Sequence, residues 1–350
     1  MKSIQESHLY QEIHQQPVVI ERLVTEPQAS IQSLAAEINA RKIHHIFIAA
    51  RGTSDNAGRY AKYILGAFNQ MDVSLATPSL FTVYNQPPNL SDSLVLGISQ
   101  SGKSPDIVSV LREGHRQGAL TAAITNTPES DLGKAARIVL DLQAGEEISL
   151  AATKTYTAQL TTLALLSTAL SGSDSSRQEL KTLPEKLGTI FNAEDAISAL
   201  AERYRYMSHC VVIGRGFNYA SAFEFSLKLK ELTYSIAEPY SSADFLHGPV
   251  ALVDRGFPVF VLAPSGKMGP QMMDLVQEVQ KRQAEVVIIS DHPTILGMAD
   301  NKLVLPVGIP EWLSPIAAII PGQMFAMHLA HTRGFEVDQP RGLNKVTETW

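Results

Sequence analysis

One stretch of the sequence places acidic and basic side chains at helical spacing, and a histidine follows it. In AFEFSLKLKELTY, Glu224, Lys228 and Glu231 are four and three residues apart, so a helix presents all three on one face. From spacing alone, a solvated ladder of ion pairs is the favoured interpretation of this face. His247 follows in the turn-like sequence His-Gly-Pro. Because imidazole can transfer a proton near neutral pH, its presence favours a catalytic interpretation over the ladder. Together these residues predict an acid–base site.

A second polar motif predicts an anion site. The sequence SQSGKSPD directly follows the apolar run LVLGI and precedes the helical run DIVSVLREG. Hydroxyls, a glycine and a helix N-terminus at the carboxyl edge of a sheet favour phosphate binding. Ser104 alone is explained as the cap of a helix that begins with proline, but Ser99, Gln100 and Ser101 would then have no role.

Another hydroxyl-rich turn follows the first apolar run. Gly52, Thr53 and Ser54 lie there, and we expect them at the same sheet edge as the phosphate motif. Capping of a helix by Ser54 is the alternative. In the second half of the chain, the corresponding segment APSGK, which ends at Lys267, lacks two of the polar groups of the phosphate motif. We therefore expect one half to bind phosphate and the other to have diverged.

An internal repeat positions these motifs. IFIAARG, ending at Gly52, resembles CVVIGRG, ending at Gly216, and LVLGISQSGK resembles FPVFVLAPSGK at the same spacing of 164 residues. Two later apolar runs in each half continue the spacing. Short, continuously apolar runs alternate with amphipathic stretches, which is typical of parallel strands covered on both faces. The sequence predicts an α/β fold with two tandem, duplicated, doubly wound parallel sheets of the flavodoxin-like, Rossmann type.

The predicted domain limits follow from this pattern. A helical segment with a break near Pro27 precedes the first strand, and a long apolar helix with a polar stretch after it separates the halves. The tail has little periodicity and is expected to be an irregular arm. The predicted parts are an N-terminal helical segment (1–40), a first, phosphate-binding domain (41–172), a second domain with the acid–base helix (173–334) and the arm (335–350).

Composition and charge exclude several classes of protein. The net charge is −6 and Lys and Arg form no runs, which argues against nucleic-acid binding. The apolar stretches are too short for a membrane span, and the first residues have no signal-peptide core, so we expect a cytoplasmic protein without a membrane partner. Cys210, the one cysteine, predicts a buried apolar position rather than a disulfide or a cysteine-rich metal site. No metal site and no cofactor are expected.

Together the motifs resemble the sugar isomerase (SIS) family, and most closely the isomerase half of glucosamine-6-phosphate synthases. The resemblance runs from Glu12 to Thr349. It is carried by Gly52-Thr53-Ser54, Ser99-Gln100-Ser101-Gly102, Ala152-Thr153-Lys154, Gly214-Arg215-Gly216, Lys228-Leu229-Lys230-Glu231, His247-Gly248-Pro249 and Asp338-Gln339-Pro340-Arg341 with Lys345.

The resemblance implies a role for each residue of the acid–base site. Glu231 matches the base that moves a proton between C1 and C2 of a hexose 6-phosphate. His247 matches the residue that opens the sugar ring, donated by the neighbouring subunit of a homodimer. Lys345 matches a lysine able to form a Schiff base with the open-chain carbonyl. Lys228 would assist proton movement at the oxygens, and Glu224 would hold the sugar or that lysine.

The sequence also departs from the family pattern. Leu246 replaces a lysine beside the histidine, and Ala152 replaces a serine in the substrate loop, so the loop that contains Leu150 is expected to shape a different pocket. The synthases carry a glutaminase domain with an N-terminal cysteine, and this chain has no cysteine before Cys210. Glutamine-dependent synthesis is therefore not expected.

The motifs also resemble those of stand-alone SIS-type glucosamine-6-phosphate deaminases, and this resemblance implies an enzyme that converts glucosamine 6-phosphate into fructose 6-phosphate and ammonia. A deglycase acting on a 6-phosphorylated fructosamine and an aldose–ketose isomerase remain alternatives, because both use C1–C2 chemistry. A non-enzymatic sugar-phosphate sensor is the alternative from another class. A sensor of the transcriptional type would need a DNA-binding domain, and the roughly 40 residues before the first strand are too few and too weakly basic for one.

Overall fold

The computed structural model describes residues 3–345; residues 346–350 of the predicted arm lie outside the described part. Ten strands alternate with helices along the chain. The strands are β1 (His45–Ala49), β2 (Asp72–Leu75), β3 (Ser93–Ile98), β4 (Leu120–Thr125), β5 (Ile138–Asp141), β6 (His209–Gly214), β7 (Ile236–Ser241), β8 (Pro258–Leu262), β9 (Glu285–Ser290) and β10 (Asn301–Val304). The helices are α1 (His8–His14), α2 (Gln16–Thr25), α3 (Ala29–Ala40), α4 (Gly52–Asn69), α5 (Ser79–Thr82), α6 (Pro105–Arg116), α7 (Asp131–Ala135), α8 (Lys154–Ser171), α9 (Asp174–Gly188), α10 (Glu194–Arg203), α11 (Tyr219–Thr233), α12 (Ser242–Leu246), α13 (Gly269–Lys281), α14 (Pro293–Leu296) and α15 (Ser314–Thr332).

The chain divides into two compact units. The first unit contains Val18–Glu147, Lys154–Lys181 and the segment that begins at Asn344. The second unit contains the N-terminal residues as far as Pro17, together with Ile148–Thr153 and Thr182–Leu343. Each unit holds one of the two sheets. The domain limits predicted from the sequence stay predictions.

Both sheets have five parallel strands in the same order. The first runs β2-β1-β3-β4-β5, and the second, read from its other edge, runs β7-β6-β8-β9-β10. This 2-1-3-4-5 order is that of doubly wound flavodoxin-like sheets, and it confirms the predicted fold class. In such sheets ligands bind at the carboxyl edge where the strand order reverses, which in the first unit is between β1 and β3.

Strand pairing shows how far the repeat extends. Phe47 lies opposite Val95, and Val211 lies opposite Val259, so the central pair of each sheet keeps the spacing of 164 residues in its register. The next pair slips by one residue, because Val95 lies opposite Thr121 whereas Pro258 lies opposite Glu285. The two halves are therefore most alike around the strands that precede the phosphate motif.

Helix α11, which carries the acid–base residues, is held against α15 in the second unit. Nearly every residue of α15 is buried, and Phe225 of α11 packs on it. A Cβ atom at Gly322 would lie 2.9 Å from the Phe225 ring, so glycine permits the two helices to approach closely. The hydroxyl of Ser221 donates to the carbonyl of Pro315 at 3.0 Å and links the helices at their N-terminal ends. Among the described residues, no helix is long and apolar enough to cross a membrane.

Three helices of the second unit meet at the carboxylate of Glu194. This carboxylate lies 3.1 Å from Nε2 of His14 and 3.3 Å from Nε2 of His328, and the hydroxyl of Tyr10 contacts it at 3.2 Å. Burial lowers the pKa of His328; Glu194 opposes this effect, whereas His331 and His14 reinforce it. The cluster attaches α1 to α10 and α15.

We expect the His328 cluster to make stability depend on pH. The pKa of His328 is lower in the folded than in the unfolded chain. Its contribution to the free energy of unfolding is therefore present above about pH 6.5 and is lost as the pH falls. The free energy of unfolding, measured in urea, should therefore decrease between pH 7.5 and 5.5, and His328→Gln should reduce that decrease. His209→Gln, at an exposed histidine of the same unit, is the control. An unchanged pH dependence in His328→Gln would contradict the assignment.

Candidate functional site

The phosphate motif forms a tight loop at the carboxyl edge of β3 in the first unit. Ser99 Oγ accepts the backbone N–H of Gly102 at 3.1 Å, and Ser101 Oγ lies 3.4 Å from the N–H of Lys103. Gly102 has a φ of +64°, and a Cβ atom there would lie 2.0 Å from the hydroxyl of Ser130. Only glycine fits at this position, because a side chain would be both strained and blocked.

Ser104 occupies the N-cap position of α6 but its side chain makes no capping hydrogen bond. Ser104 is therefore at the N-cap position without using its hydroxyl to cap the helix. The hydroxyl is available to a ligand, as the prediction of a phosphate site requires. The Arg51 guanidinium contacts the buried carboxylate of Asp106 at 2.8 Å, next to this helix start. Loop and helix terminus together present hydroxyl and backbone donors of the kind that anion sites use.

The turn after β1 does not show the alternative arrangement in which Ser54 caps a helix. The N-cap of α4 is Arg51, and the helix begins at Gly52, so Ser54 already lies inside the first turn. Ser54 is buried, and its hydroxyl accepts a hydrogen bond from the amide of Gln159 at 3.0 Å. Thr53 is partly exposed beside it. Gly52 and Thr53 therefore reach the sheet edge, whereas Ser54 faces the interior of the unit.

A cavity of about 580 Å³ lies beside the phosphate loop in the first unit. Gln100, Ser101 and Lys103 line it, together with Lys345. The ammonium of Lys345 lies 3.5 Å from Oε2 of Glu147, whose side chain is fully buried. The structure thus brings the predicted Schiff-base lysine and part of the predicted phosphate motif to one cavity.

Glu147 is a site residue that sequence reasoning missed. Its carboxylate accepts the backbone N–H of Thr155 at 3.1 Å and the hydroxyl of Thr155 at 2.6 Å, and so fixes the start of α8. It lies eight residues before Thr155, which is outside the three-residue spacing of a capping box, so no local signal identified it. Lys154, named only within a family motif, is buried and donates to the carbonyl of Glu146 at 2.5 Å.

In the second unit, the acid–base face of α11 is formed as the spacing predicts. The ammonium of Lys228 lies 3.3 Å from Oε1 of Glu224 and 2.5 Å from Oε2 of Glu231. The side chains of Glu224 and Lys228 are 0% exposed, and that of Glu231 is 20% exposed. The solvated ladder favoured from spacing alone is therefore wrong. The face is buried, and of these three side chains Glu231 is the one that reaches the surface.

Lys228 is held as a cation inside the protein. Burial lowers its pKa, but the charges of Glu224 and Glu231 and their hydrogen bonds raise it more, so the pKa lies above the usual value for lysine. Lys228 engages Oε2 of the partly exposed Glu231 and leaves Oε1 for another contact. The arrangement presents one carboxylate oxygen, fixed by an ammonium, to any molecule that binds there. That is the geometry a proton-transferring base requires.

His247 lies at the other edge of the same sheet. α11 ends at the amino edge, where Ile236 lies opposite His209, and β7 then runs back to the carboxyl edge before α12 and His247. The six residues of β7 span about 17–20 Å. Sixteen residues separate Glu231 from His247 in the sequence, yet one chain does not bring them together. The imidazole is exposed, at the C-terminal end of α12.

Leu150 lies in a loop of the second unit that the N-terminal segment holds. Its N–H donates to the carbonyl of Asp338 at 3.0 Å, and the Asp338 carboxylate accepts the N–H of Leu9 at 2.8 Å. The buried carboxylate of Glu12 accepts the N–H groups of Ile148 and Ser149. The start of the loop is therefore fixed by the side chain of Glu12, and Leu150 is fixed by the backbone of Asp338.

Within residues 3–345, no group of three or more His, Cys, Asp and Glu side chains could hold a metal ion. Cys210 is buried, as predicted, and burial raises the pKa of its thiol to about 12. The chemistry available at the two groups of residues is thus that of carboxylate, ammonium, imidazole and hydroxyl.

Comparison with known proteins identifies the family of the chain. The chain is 36% identical, over 96% of its length, to a glutamine–fructose-6-phosphate aminotransferase (isomerizing) of Gloeobacter violaceus, and the match spans 58% of that relative. It superposes with a TM-score of 0.87 on the C-terminal domain of glucosamine-fructose-6-phosphate aminotransferase from Francisella tularensis, at 29% identity, covering 96% and 98% of the two chains.

A glucosamine-6-phosphate deaminase from Thermotoga maritima shares the fold, with a TM-score of 0.78 at 22% identity and coverage of 98% and 100%. The sequence profile of the SIS domain matches twice, at residues 40–169 and 205–333. Each match contains one of the two sheets; the phosphate loop lies in the first match, and Glu231 and His247 lie in the second. The chain belongs to the SIS domain family.

Proposed function

We propose that the chain converts glucosamine 6-phosphate and water into fructose 6-phosphate and ammonia. The observation that carries the proposal is the carboxylate of Glu231, 20% exposed and fixed through Oε2 by the buried ammonium of Lys228 at 2.5 Å. A fixed carboxylate with one open oxygen can remove a proton from a carbon next to a carbonyl and return it to the neighbouring carbon.

The reaction balances with the groups available. After ring opening, Glu231 removes the proton from C2 of the 2-amino aldehyde while the oxygen on C1 gains a proton, which gives an enol. The same carboxylate then returns a proton to C1 while the nitrogen on C2 loses one. The product is an imine at C2, which water hydrolyses to the ketone with release of ammonia. Lys228 stabilises the charge that develops on oxygen in the enol intermediate. Lys345 is proposed to hold the open-chain carbonyl, as the family resemblance implies.

The phosphate is assigned to the loop of the first unit. Gln100, Ser101 and the uncapped hydroxyl of Ser104 supply donors at the start of α6, and Lys103 and Lys345 add positive charge. Phosphate binding at a helix N-terminus needs this combination of donors and dipole.

Ring opening is assigned to His247 of a second copy of the chain. Because α11 and β7 place Glu231 and His247 at opposite edges of one sheet, a single chain cannot supply both to the same sugar. The exposed imidazole can reach a neighbouring subunit. We therefore propose a homodimer in which His247 is shared.

The proposed reaction does not use glutamine. Release of ammonia from glutamine requires a nucleophile such as a thiolate. Within this sequence, the thiol of Cys210 is buried with a pKa of about 12 and does not supply such a thiolate near neutral pH. The aldose–ketose and deglycase alternatives use the same Glu231, and the substrate decides between them.

The test is product formation from glucosamine 6-phosphate. We expect ammonia and fructose 6-phosphate in equal amounts, each measured with a coupled dehydrogenase assay. Ser101→Ala should raise KM by about 10-fold or more, because a hydrogen bond to a charged group contributes roughly 1.5–3 kcal/mol. Ser171→Ala, at an exposed serine that ends α8, is the control.

Other outcomes would redirect the assignment. Interconversion of glucose 6-phosphate and fructose 6-phosphate without ammonia would establish the aldose–ketose isomerase. Release of an amino acid from a 6-phosphorylated fructosamine would establish the deglycase. Binding of these compounds without any turnover would leave a sensor and contradict the proposal.

A further inference from the structure

The second unit contains a loop whose backbone donors are bound by carboxylates of the chain itself. This loop, Ser265–Met268, follows β8 and leads into the 13-residue helix α13. The N–H groups of Lys267 and Met268 donate to the two carboxylate oxygens of Glu311 at 2.9 and 3.2 Å. The N–H of Ser265 donates to the carboxylate of Asp291 at 2.6 Å.

The loop corresponds to the phosphate motif of the first unit. Gly266 and Lys267 are the repeat partners of Gly102 and Lys103, and both loops follow the central strands that keep the repeat register. In the first unit, the serine hydroxyls of the loop contact the N–H groups of Gly102 and Lys103. In the second unit, Ala263 and Pro264 stand where the first has Ser99 and Gln100. The Glu311 carboxylate takes the N–H of Lys267, the partner of Lys103, together with that of Met268.

Gly266 permits the carboxylate to approach. A Cβ atom at this position would lie 2.1 Å from the carboxyl carbon of Glu311, so any other residue would displace that side chain. Glycine is used in phosphate loops for the same reason, to let an oxyanion reach the backbone. The shape of the loop is therefore fitted to an anion, and the anion present is internal.

Glu311 is presented from a fixed segment. It lies between β10 and α15, and its carbonyl accepts the N–H and the hydroxyl of Ser314 at 3.2 and 2.7 Å. The side-chain amide of Asn218 donates to the Ser314 hydroxyl at 2.8 Å. The carboxylate is thus held at the loop with little loss of entropy, an advantage that a free anion does not have.

We infer that Ser265–Met268 is an oxyanion site whose ligand is the carboxylate of Glu311. The second half keeps an anion-binding backbone, and Glu311 closes it to phosphate and phosphate esters. The inference does not depend on the reaction proposed above. It assigns Glu311 as an internal ligand that links the loop to the start of α15.

The first test measures coupling between Gly266 and Glu311 through the thermal midpoint of unfolding. Gly266→Ala should lower the midpoint by about 2–4 °C or more in the native chain, because it displaces the carboxylate. In a Glu311→Ala background the same change should lower it far less. Equal effects in both backgrounds would show that the glycine serves the backbone alone and would overturn the inference.

The second test opens the site to inorganic phosphate. It is made in a Ser99→Ala/Ser101→Ala background, so that the first-unit loop does not contribute. With Glu311→Ala added, phosphate should raise the thermal midpoint saturably, beyond the effect of sodium chloride at equal ionic strength. With Glu278→Ala added instead, at a surface carboxylate of the same unit, this increase should be absent.

The isosteric variant Glu311→Gln keeps the test decisive if the alanine variant does not fold. Its amide carbonyl can accept one of the two N–H groups, so it should fold and bind phosphate more weakly than the alanine variant is expected to. The inference would be overturned if the glutamine variant folds and phosphate raises the thermal midpoint of neither Glu311 variant.

Discussion

Glu231→Gln should lower kcat for ammonia release by a factor of about 10²–10⁴ and leave KM within a few-fold of the native value. The amide keeps the size of the side chain and can still accept the hydrogen bond that Lys228 now gives to Oε2 at 2.5 Å. It cannot remove a proton from carbon. Because substrate binding is assigned to other residues, the loss should fall on the chemical step.

The experiment needs a control for the change of charge. Glu202→Gln removes an exposed carboxylate of α10 that pairs with Arg205, and it should retain full activity. Exchange of the C2 hydrogen with solvent deuterium, followed by NMR, should disappear in Glu231→Gln together with turnover. Retention of exchange at the native rate would show that another group is the base.

The internal repeat predicts the fold well because it consists of short, local sequence patterns. Runs such as IFIAARG and CVVIGRG combine continuous apolar residues with a glycine turn, and each forms an interior strand of a five-stranded sheet. Parallel pairing then follows, since strands that alternate with helices are joined by right-handed crossovers. Even the strand order 2-1-3-4-5 is one of the few that this pattern allows.

Burial of the acid–base face could not be predicted from spacing. Glu224, Lys228 and Glu231 have the composition of a surface ladder, but α11 packs against β6, β7 and the remote helix α15, and Glu224 and Lys228 are buried. Glycine at position 322 controls that approach, nearly 100 residues along the chain. A contact between residues so far apart in the sequence produces no recognisable pattern in the sequence of the helix that it covers.

Sequence proximity is a poor guide to the place of His247. It follows Glu231 closely along the chain, which suggests a single acid–base group. A strand lies between them, and a strand in a parallel sheet necessarily crosses from the amino to the carboxyl edge. The alternation of strands and helices therefore separates the two residues, although their spacing in the sequence does not show it.

The carboxylates that fix loops escape prediction for a related reason. Glu147 and Glu311 both lie between the last strand of a sheet and the long helix that follows, where the sequence is irregular. Their partners, Thr155 and the loop that ends at Met268, are 8 and 43 residues away. Such positions can be found only when the whole fold brings the backbone donors to them.

Lys228→Met should destabilise the protein by about 3–5 kcal/mol, because it removes the ammonium that neutralises a buried carboxylate. The side chain of Glu224 is 0% exposed and lies 3.3 Å from Lys228 Nζ. Methionine fills similar space, so packing is preserved and the loss of stability measures the effect of removing the charge. Urea unfolding at pH 7.5 gives the free energy of unfolding, and Lys230→Met, on the exposed side of α11, is the control, expected to stay within about 0.5 kcal/mol of native.

A second substitution separates charge from any other effect of methionine. If the cost is the unneutralised carboxylate of Glu224, then adding Glu224→Gln to Lys228→Met should recover a large part of the lost stability, since no net charge then stays buried. Recovery of stability should not restore turnover, because Glu231 would still lack the ammonium that positions it. A double variant no more stable than Lys228→Met would place the cost in packing and would refute the electrostatic account of the buried face.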